Sequence, residues 1–355
     1  MSARLLRTWQ TRNALSCLLW PMSLLYQGLL ALRRLLYRSG IKTSTRLPVP
    51  VLVVGNVVVG GAGKTPTVIQ LVEHLRARGW TPGVISRGHG RSSDGCTVVT
   101  AQSPAQLVGD EPALIARRTQ APMVVGRQRV QAGHALLAQH PGVDIIVSDD
   151  GMQHWDLARD LTVVVFDERG TGNGWLLPAG LLREPWPARP WTGSRMLVLH
   201  NTTGVSEAGP LETGQLPVFR ATRRLQPVAV APDGTQCPLA ELPRRCANRP
   251  LAALAGIARP EAFFAMLRGL GVPLSQTLAL PDHADADTLA AALSPDKVWL
   301  CTEKDAVKLR SAPPAGSLAP QVWAVPLVQT PEPAFFQAID AALDGLSSAH
   351  GRQTP

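Results

Sequence analysis

The stretch VLVVGNVVVGGAGKTPTV, residues 51–68, joins an apolar run to a glycine cluster and a Lys-Thr pair. The apolar run predicts a buried strand, and the proline after the Lys-Thr pair suits the first turn of a helix. A glycine-rich turn between strand and helix points successive backbone N–H groups at phosphate oxygens. The residues predicted to bind nucleotide phosphates are Gly60, Gly61, Ala62, Gly63, Lys64, Thr65 and Pro66.

Two side chains of this stretch carry specific chemistry. In the pattern G-x-x-x-x-G-K-[ST], the lysine reaches the terminal phosphates and the hydroxyl ligates Mg²⁺, roles that fall to Lys64 and Thr65. The first glycine of the pattern falls at Val58 in this chain. The alternative is an ordinary glycine-rich turn, but the coincidence of strand, GxGKT and helix start favours phosphate binding.

Composition limits the class of protein. The chain has 355 residues, enough for one large or two medium domains, and its 45% hydrophobic and 17% charged residues are typical of a globular protein. The net charge of +9 suits an anionic partner: a phospholipid surface, a phosphorylated substrate or nucleic acid. Because aromatic residues are few and no zinc-finger or RNA-binding signature occurs, no nucleic-acid partner is expected. Five scattered cysteines without a CxxC indicate reduced thiols in the cytosol.

The N-terminal segment differs from the rest of the chain. Residues 14–32, ALSCLLWPMSLLYQGLLAL, have no charge, and arginines lie on both sides. A signal peptide, a spanning helix and a helix in the membrane interface are the alternatives. The absence of a clear cleavage site disfavours the first, and Pro21 with flanking arginines on both sides disfavours the second. We expect a helix in the interface, with its arginines near anionic headgroups.

Strand-like and helix-like segments alternate after this helix. This alternation predicts an α/β fold with a mostly parallel sheet between helices. The predicted segments are strands at Val51–Gly55, Gly83–Ser86, Met123–Val125, Asp144–Ser148 and Leu161–Phe166, with helices at Thr67–Arg78 and Val130–Gln139. A Pro/Gly-rich region follows, and then a second βα-like portion with helices from Pro260 and Pro333.

Acidic residues end two of the predicted strands. In VDIIVSDDGMQH, Asp149 and Asp150 follow an apolar run, where a carboxylate beside a phosphate loop can hold the metal ion. A strand followed by Asp is common, and Asp167 repeats the pattern. The accompanying GGAGKT and the following Gln153-His154 favour a functional role for the first pair.

Three other segments carry candidate residues with competing interpretations. Asp110 and Glu111 precede a helix in VGDEPALIARR, where an aspartate can also be an N-cap. His283 lies in the polar loop LPDHADAD and could be a solvated side chain. The loop NGWLLPAGLLREPW, which contains Arg183 and Glu184, could be a surface turn with an exposed ion pair. In CTEKDAV the lysine and aspartate are adjacent, so the guanine-specifying [NT]KxD pattern fails, which argues against a GTPase.

With these segments in order, the chain resembles the tetraacyldisaccharide 4′-kinase (lipid A 4′-kinase) family. The motifs that carry the resemblance are GNVVVGGAGKTP, SRGHG, GDEP, APMVVGRQRV, VSDDGMQH, GNGWLLPAGLLRE, AGIARPEAFF, DH and TEKDAVK. The resemblance implies transfer of the γ-phosphate of ATP, with Mg²⁺, to the 4′-hydroxyl of a tetraacylated glucosamine disaccharide 1-phosphate. It also implies an enzyme at the cytoplasmic face of the bacterial inner membrane; the oligomeric state is left open.

The resemblance also implies an organisation of the chain. It predicts a P-loop NTPase-like core and a smaller C-terminal α/β portion joined by a β-type linker. The predicted segments are 1–40 (membrane-associated helix), 46–201 (P-loop kinase core), 202–250 (Pro/Gly-rich β-type linker region), 251–345 (C-terminal α/β portion) and 346–355 (disordered tail).

Residue roles follow from the same motifs. Asp110 is implied to be the catalytic base, with Glu111 as its neighbour and His283 as its partner. Lys64 and Thr65 serve the phosphates and Mg²⁺. The residues implied to lie in the metal region or the active site are Asp149, Asp150, Gln153, His154, Arg183 and Glu184. The chain departs from the family pattern at three places: His89 replaces Tyr, Leu181 replaces Pro, and Ala284-Asp285 replaces a His and an aromatic residue.

A membrane-associated P-loop ATPase that acts as an assembly or targeting switch is the alternative function. An amphipathic N-terminus and an unusual GG-x-GKT loop would suit it too. The GDEP and DH motifs distinguish the two, since a switch that hydrolyses ATP with water has no evident need for them.

Overall fold

The computed structural model describes residues 8–191, 193–203, 211–247, 249–309 and 321–347. The helices are α1 (Ala14–Arg38), α2 (Lys64–Ala77), α3 (Ala105–Val108), α4 (Asp110–Thr119), α5 (Arg129–Gln139), α6 (Leu242–Arg245), α7 (Pro260–Gly269), α8 (Ala286–Ala291), α9 (Glu303–Leu309) and α10 (Pro333–Ser347). The strands are β1 (Val51–Gly55), β2 (Pro82–Ser86), β3 (Thr97–Val99), β4 (Met123–Val125), β5 (Ile145–Asp149), β6 (Leu161–Phe166), β7 (Arg195–Thr202), β8 (Val218–Leu225), β9 (Val228–Val230), β10 (Gln236–Pro238), β11 (Leu251–Ala255), β12 (Leu274–Ala279), β13 (Val298–Thr302), β14 (Gln321–Val325) and β15 (Leu327–Pro331).

These elements form two compact units. The first comprises the described residues within Met1–Arg87, Ala121–Thr222 and Thr330–Pro355. The second comprises those within Gly88–Gln120 and Arg223–Gln329. The segment boundaries predicted from the sequence stay a prediction. Of the predicted disordered tail, residues 348–355 lie outside the described residues.

The first unit is built on a parallel sheet with the strand order β8-β7-β6-β1-β5-β2-β4. Strand β1 lies between β6 and β5, with Leu52 paired to Leu161 on one side and to Val147 on the other. Every residue of these three strands is buried, because helices cover both faces of such a sheet. Parallel strands end at the same edge, so the ends of β1 and β5 bring the phosphate and acidic motifs together.

The second unit has a mixed sheet with the order β10-β9-β14-β13-β11-β12. Strands β12, β11, β13 and β14 are parallel, whereas β9 pairs antiparallel with both β10 and β14. The fully buried rings of Phe264 and Trp299 lie in its core clusters. The Pro/Gly-rich region therefore supplies the antiparallel edge of an α/β unit.

The structure confirms the predicted strands Val51–Gly55, Met123–Val125 and Leu161–Phe166. The other predicted boundaries shift by one to three residues: β2 begins at Pro82, β5 begins at Ile145, α2 ends at Ala77 and α5 begins at Arg129. Strand β5 includes Asp149, and α2 begins at Lys64 instead of Thr67. The helix starts earlier because Gly63, with φ of 94°, turns the chain directly into it.

Helix α1 has one polar, half-buried side and one exposed apolar side. Asn13 and Ser16 form a capping box at its start, and Ser16 and Ser23 are buried. Its exposed large apolar side chains are Leu15, Leu18, Trp20, Met22, Leu24, Leu25, Leu29, Leu32 and Leu35. Among the described helices it is the one long and apolar enough to cross a membrane, a property that signal sequences and buried core helices share.

Candidate active site

The phosphate loop, residues 56–63, connects β1 to α2 in the first unit. Gly60 and Gly63 have φ of 92° and 94°, in the left-handed region that favours glycine. The Ala62 carbonyl accepts a hydrogen bond from Asn201 Nδ2 at 2.9 Å, which holds the loop onto β7. Backbone N–H groups at the N-terminus of a helix such as α2 are suited to binding phosphate. Thr65 and Pro66 occupy the second and third positions of that helix.

Lys64 lies among acceptors in this unit. Its Nζ is 3.3 Å from Asn56 Oδ1 and 3.4 Å from Asp150 Oδ1. The side chain is largely buried, so its charge is weakly screened by water. The ammonium is thus held beside the loop and can exchange these acceptors for phosphate oxygens.

Arg169 supports the loop from the end of β6. Its Nε lies 3.0 Å from both carboxylate oxygens of Asp167, and its Nη1 donates to the Val59 carbonyl at 3.1 Å. A Cβ at Gly60 would come within 3.4 Å of Nη1. The second acidic strand end therefore anchors an arginine that fixes the loop, a role that the sequence analysis missed.

Asp149 is the last residue of β5 and Asp150 follows it, at the edge of the sheet where the loop lies. Ser86 Oγ donates to Asp149 Oδ2 at 2.9 Å, and the buried Arg129 donates to the Asp149 carbonyl at 3.1 Å. Burial alone would raise the pKa of Asp150, but the charges of Lys64, Arg183 and Arg129 lower it. Asp150 is therefore a carboxylate at neutral pH.

Gln153 connects the loop to Glu184. Its Nε2 donates to the Asn56 carbonyl at 3.1 Å and to Glu184 Oε1 at 3.0 Å. Glu184 is buried, so the interpretation as an exposed surface pair is wrong for this residue. Its burial raises the pKa of its carboxyl group.

Two further side chains lie near this edge. Arg183 Nη1 lies 3.8 Å from Asp150 Oδ1. Burial, reinforced by the charge of Arg129, lowers the pKa of His154 to about 4, so its imidazole is neutral.

The donor set at this edge fits Mg²⁺. Among the described residues, no group of three or more His, Cys, Asp and Glu side chains forms a metal site. Mg²⁺ does not need one, because it binds one or two carboxylates together with substrate phosphates and water. The Asp149 and Asp150 carboxylates and the Thr65 hydroxyl are the hard oxygen ligands that this ion prefers.

Asp110 and His283 meet in the second unit. His283 Nδ1 lies 3.2 Å from Asp110 Oδ2, across 173 positions of sequence. Asp110 is the first residue of α4, whose N-cap is Gly109, so the N-cap interpretation is wrong. Burial alone would raise the pKa of Asp110, but the hydrogen bond from His283 and nearby lysine charges hold it well below its usual range. The bond to Asp110 raises the pKa of His283.

Further charged groups surround this pair. Lys304 Nζ lies 3.5 Å from Asp110 Oδ2, 3.4 Å from Glu111 Oε1 and 3.8 Å from Asp282 Oδ1. Burial would lower the pKa of Lys304, but these three carboxylates raise it. The His89 ring centre is 5.0 Å from that of His283. Asp285, at the departure from the family pattern, caps α8 by accepting from the Thr288 N–H at 2.8 Å.

The structure thus groups the predicted residues by unit. The first unit carries Lys64, Thr65, Asp149, Asp150, Gln153, His154, Arg183 and Glu184, and the second carries Asp110, Glu111 and His283. The sequence analysis missed Asn56, Arg129 and Arg169, and it assigned no role to Lys304 and Lys308. The motifs VGRQRV and TEKDAVK pointed to Arg129 and the two lysines, but neither motif indicated a partner.

Comparison with known proteins gives one consistent family. The sequence profile described as LpxK, tetraacyldisaccharide-1-P 4′-kinase, matches residues 15–344. A tetraacyldisaccharide 4′-kinase of Polaromonas sp. strain JS666 is 52% identical, covering 98% of this chain and 100% of that protein. One of Acidovorax ebreus is also 52% identical, covering 98% and 97%. A crystal structure of LpxK from Aquifex aeolicus in complex with ATP is 27% identical, with a TM-score of 0.73, covering 92% and 99%.

Proposed function

This chain belongs to the tetraacyldisaccharide-1-phosphate 4′-kinase family, and from that premise we propose that it phosphorylates the 4′-hydroxyl of a tetraacylated disaccharide 1-phosphate with ATP. The observation that carries the proposal is the hydrogen-bonded pair of Asp110 and His283 in a chain that also has a phosphate loop. A switch that hydrolyses ATP with water has no evident need for this pair. The product belongs to lipid A biosynthesis.

The residues of the first unit would hold the nucleotide. The N–H groups of the phosphate loop and of the start of α2 donate to phosphate oxygens, and Lys64 neutralises charge on the terminal phosphates. Asp149, Asp150 and Thr65 would hold Mg²⁺, which when bound supplies neutralisation of phosphate charge. Gln153 keeps Glu184 and the Asn56 carbonyl in place through its two hydrogen bonds.

Asp110 would accept the proton of the acceptor hydroxyl. As the bond from the 4′-oxygen to the γ-phosphorus forms and the bond from phosphorus to the β,γ-bridging oxygen breaks, the hydroxyl becomes acidic and ADP leaves. A carboxylate of lowered pKa is ionised at neutral pH, so it carries no proton of its own and can accept the hydroxyl proton as the transition state forms. The His283 imidazole orients the carboxylate through Oδ2.

ATP consumption with and without the acceptor separates a kinase from an ATPase. The enzyme is given ATP with a 1-phosphorylated lipid disaccharide in detergent, or with detergent alone. A kinase is nearly silent without the acceptor and forms one ADP per phosphorylated lipid. Equal ATP turnover in both conditions would favour the ATPase switch.

Three variants test the catalytic pair. Asp110→Asn keeps the shape of the side chain but removes the base, so kcat should fall roughly 10²-fold or more. His283→Ala should have a similar effect, and the double variant should be little slower than either single one, because residues that act as a unit are not additive. Multiplied losses in the double variant would separate the two roles.

We further propose that α1 lies in the interface of the cytoplasmic face of the inner membrane. Its polar side is bound within the first unit: Ser23 Oγ donates to the Leu176 carbonyl at 2.8 Å, and Tyr26 Oη to the Arg183 carbonyl at 2.8 Å. Arg33 donates to the Gln153 carbonyl at 2.8 Å and stacks over Trp155. A helix crossing the bilayer would leave these polar contacts, whereas a helix lying flat keeps them and buries its leucines in the acyl boundary.

A further inference from the structure

Helix α9 places two lysines on the carboxylate of Asp110. Lys308 Nζ lies 3.3 Å and Lys304 Nζ 3.5 Å from Oδ2, the oxygen that also faces His283 Nδ1. The other oxygen, Oδ1, accepts one hydrogen bond from the Glu111 N–H at 3.1 Å. The contacts are therefore uneven: three cationic or donor groups fix Oδ2, and Oδ1 keeps a lone pair.

Lys308 also holds the loop that carries His283. Its Nζ donates to the carbonyl of Ala284, the next residue, at 3.0 Å. His283 has φ of 61°, and such a conformation in a residue other than glycine persists only when its surroundings enforce it. A single ammonium thus contacts Asp110 and the backbone beside His283, so it sets the position of both members of the pair.

Lys308 is itself positioned by the buried Asp305. Asp305 Oδ1 lies 3.7 Å from Lys308 Nζ. Its Oδ2 accepts from Thr302 Oγ1 at 2.7 Å and from the Gly256 N–H at 3.1 Å. The TEKDAVK segment, residues 302–308, therefore forms a hydrogen-bonded frame behind Asp110, and each of its polar side chains at 302, 304, 305 and 308 has a partner there.

We propose that Lys304 and Lys308 are positioning residues that fix Asp110 through Oδ2, so that Oδ1 takes the proton of the acceptor hydroxyl. This inference rests on the proposed function, in which Asp110 is the base. The lysines touch neither substrate in this arrangement and act through the carboxylate. The charged and titratable groups that face Asp110 or its contacts are His89, Glu111, Asp282, His283, Lys304, Asp305 and Lys308.

A double-mutant cycle tests the positioning. Lys308→Met keeps the length of the side chain and removes its charge. Lys297→Met is the matched control, since that half-buried lysine of the same unit bonds only to Gln276 in the described contacts. Misplacement of the base by about 1 Å should lower kcat about 10²-fold while KM for ATP stays within about twofold. Adding Lys308→Met to Asp110→Asn should cause no further loss of kcat.

The outcomes separate this inference from the proposed function. A Lys308→Met enzyme with wild-type kcat, beside a slow Asp110→Asn enzyme, would overturn the positioning alone. An active Asp110→Asn enzyme would overturn both the base and its positioning. Losses that multiply in the double variant would show that Lys308 acts independently of Asp110 and would also overturn the inference.

Lys304 provides the second variant if Lys308→Met does not fold. Lys304 is less deeply buried and contacts the same oxygen, so Lys304→Met should fold and enter the same cycle with Asp110→Asn. We expect a fall in kcat of about tenfold or more, since an opposite charge within hydrogen-bonding reach is lost. A thermal melt of each variant confirms folding, and multiplied losses in this cycle contradict the inference.

Discussion

Asp150 and His283 have left-handed backbone conformations, with φ of 47° and 61°. Such conformations are unfavourable for residues other than glycine and persist where side-chain contacts enforce them. Asp150 is held by ion pairs with Lys64 and Arg183, and His283 by Asp110. Both strained residues therefore lie where charged groups converge, as is common in active sites.

The pKa of His283 predicts how stability depends on pH. Its folded pKa is raised above 6.5, so its ion pair with Asp110 stabilises the folded state below that pH and loses this effect as pH rises through the folded pKa. The free energy of unfolding lost in His283→Asn should therefore be larger at pH 6 than at pH 9. Chemical denaturation at the two pH values measures it.

Asp110→Asn is the control for this pH dependence. The pKa of Asp110 is lowered, so its contribution is present above its unfolded pKa and is lost only as pH falls through the folded value. It is constant between pH 6 and 9. In the Asp110→Asn background, His283→Asn should cost the same at both pH values; a persisting difference would assign the titration to another group.

Replacing Arg169 should lower the catalytic efficiency with ATP. Arg169→Lys loses the planar fork that joins Asp167 to the Val59 carbonyl, so the phosphate loop loses a support. A charge-assisted hydrogen bond contributes about 1.5–3 kcal/mol, so kcat/KM for ATP should fall at least about tenfold. Arg78→Lys, an exposed arginine of the same unit, is the control. Equal kinetics for both variants would remove Arg169 from the site.

At the scale of elements, local patterns predicted the fold and distant contacts did not. The continuous apolar runs of β1, β5 and β6 and the turn before Lys64 are local signals, so they were readable in the sequence. Arg169 lies 110 positions from Val59, and Lys308 contacts Asp110 from an element even more distant in sequence. Patterns in a single sequence do not show which distant residues are in contact. These partners could therefore be identified only from the structure.

We expect helix α1 to bind membranes through its exposed apolar side. Leu18, Leu25 and Leu29 are 75%, 73% and 65% exposed. Replacing all three with Gln should weaken sedimentation with anionic phospholipid vesicles strongly, because the buried apolar area supplies the affinity. The melting temperature and activity in detergent should stay near those of the wild type, since these side chains are mostly exposed.

Leu270→Gln is the matched control for the vesicle experiment. Leu270 is exposed but lies after α7 in the second unit. It should leave vesicle binding unchanged. If the triple variant sediments as well as this control, the anchor lies elsewhere in the chain.

At the scale of the whole molecule, the candidate groups are divided between two discontinuous units. Residues 88–120 belong to the second unit together with 223–329, although they lie within the first unit in sequence. No change of composition marks residue 88 or 120. Nothing in the sequence therefore indicated that residues 88–120 belong to the second unit. The predicted family is confirmed by relatives that cover nearly the whole chain.

This division predicts that nucleotide binding and catalysis can be separated by mutation. ATP that binds the folded state stabilises it by about 2.7 kcal/mol at 100 times Kd, which should raise the melting temperature by several degrees. Asp110→Asn should keep the full rise while kcat falls roughly 10²-fold, because the proposed role of Asp110 is to take the proton of the acceptor hydroxyl. Lys64→Ala should lose most of the rise and also about 10²-fold or more of kcat.

Thermal melts with and without MgATP, run beside turnover assays, measure both effects on the same samples. Without ATP, Lys64→Ala should melt close to the wild type, since its ammonium contacts only Asn56 and Asp150 among the described side chains at the loop. Lys297→Met serves as a lysine control that keeps both properties. Near wild-type turnover in Lys64→Ala would overturn the phosphate loop assignment, and loss of the ATP-dependent rise in Asp110→Asn would move Asp110 from acceptor activation to nucleotide binding.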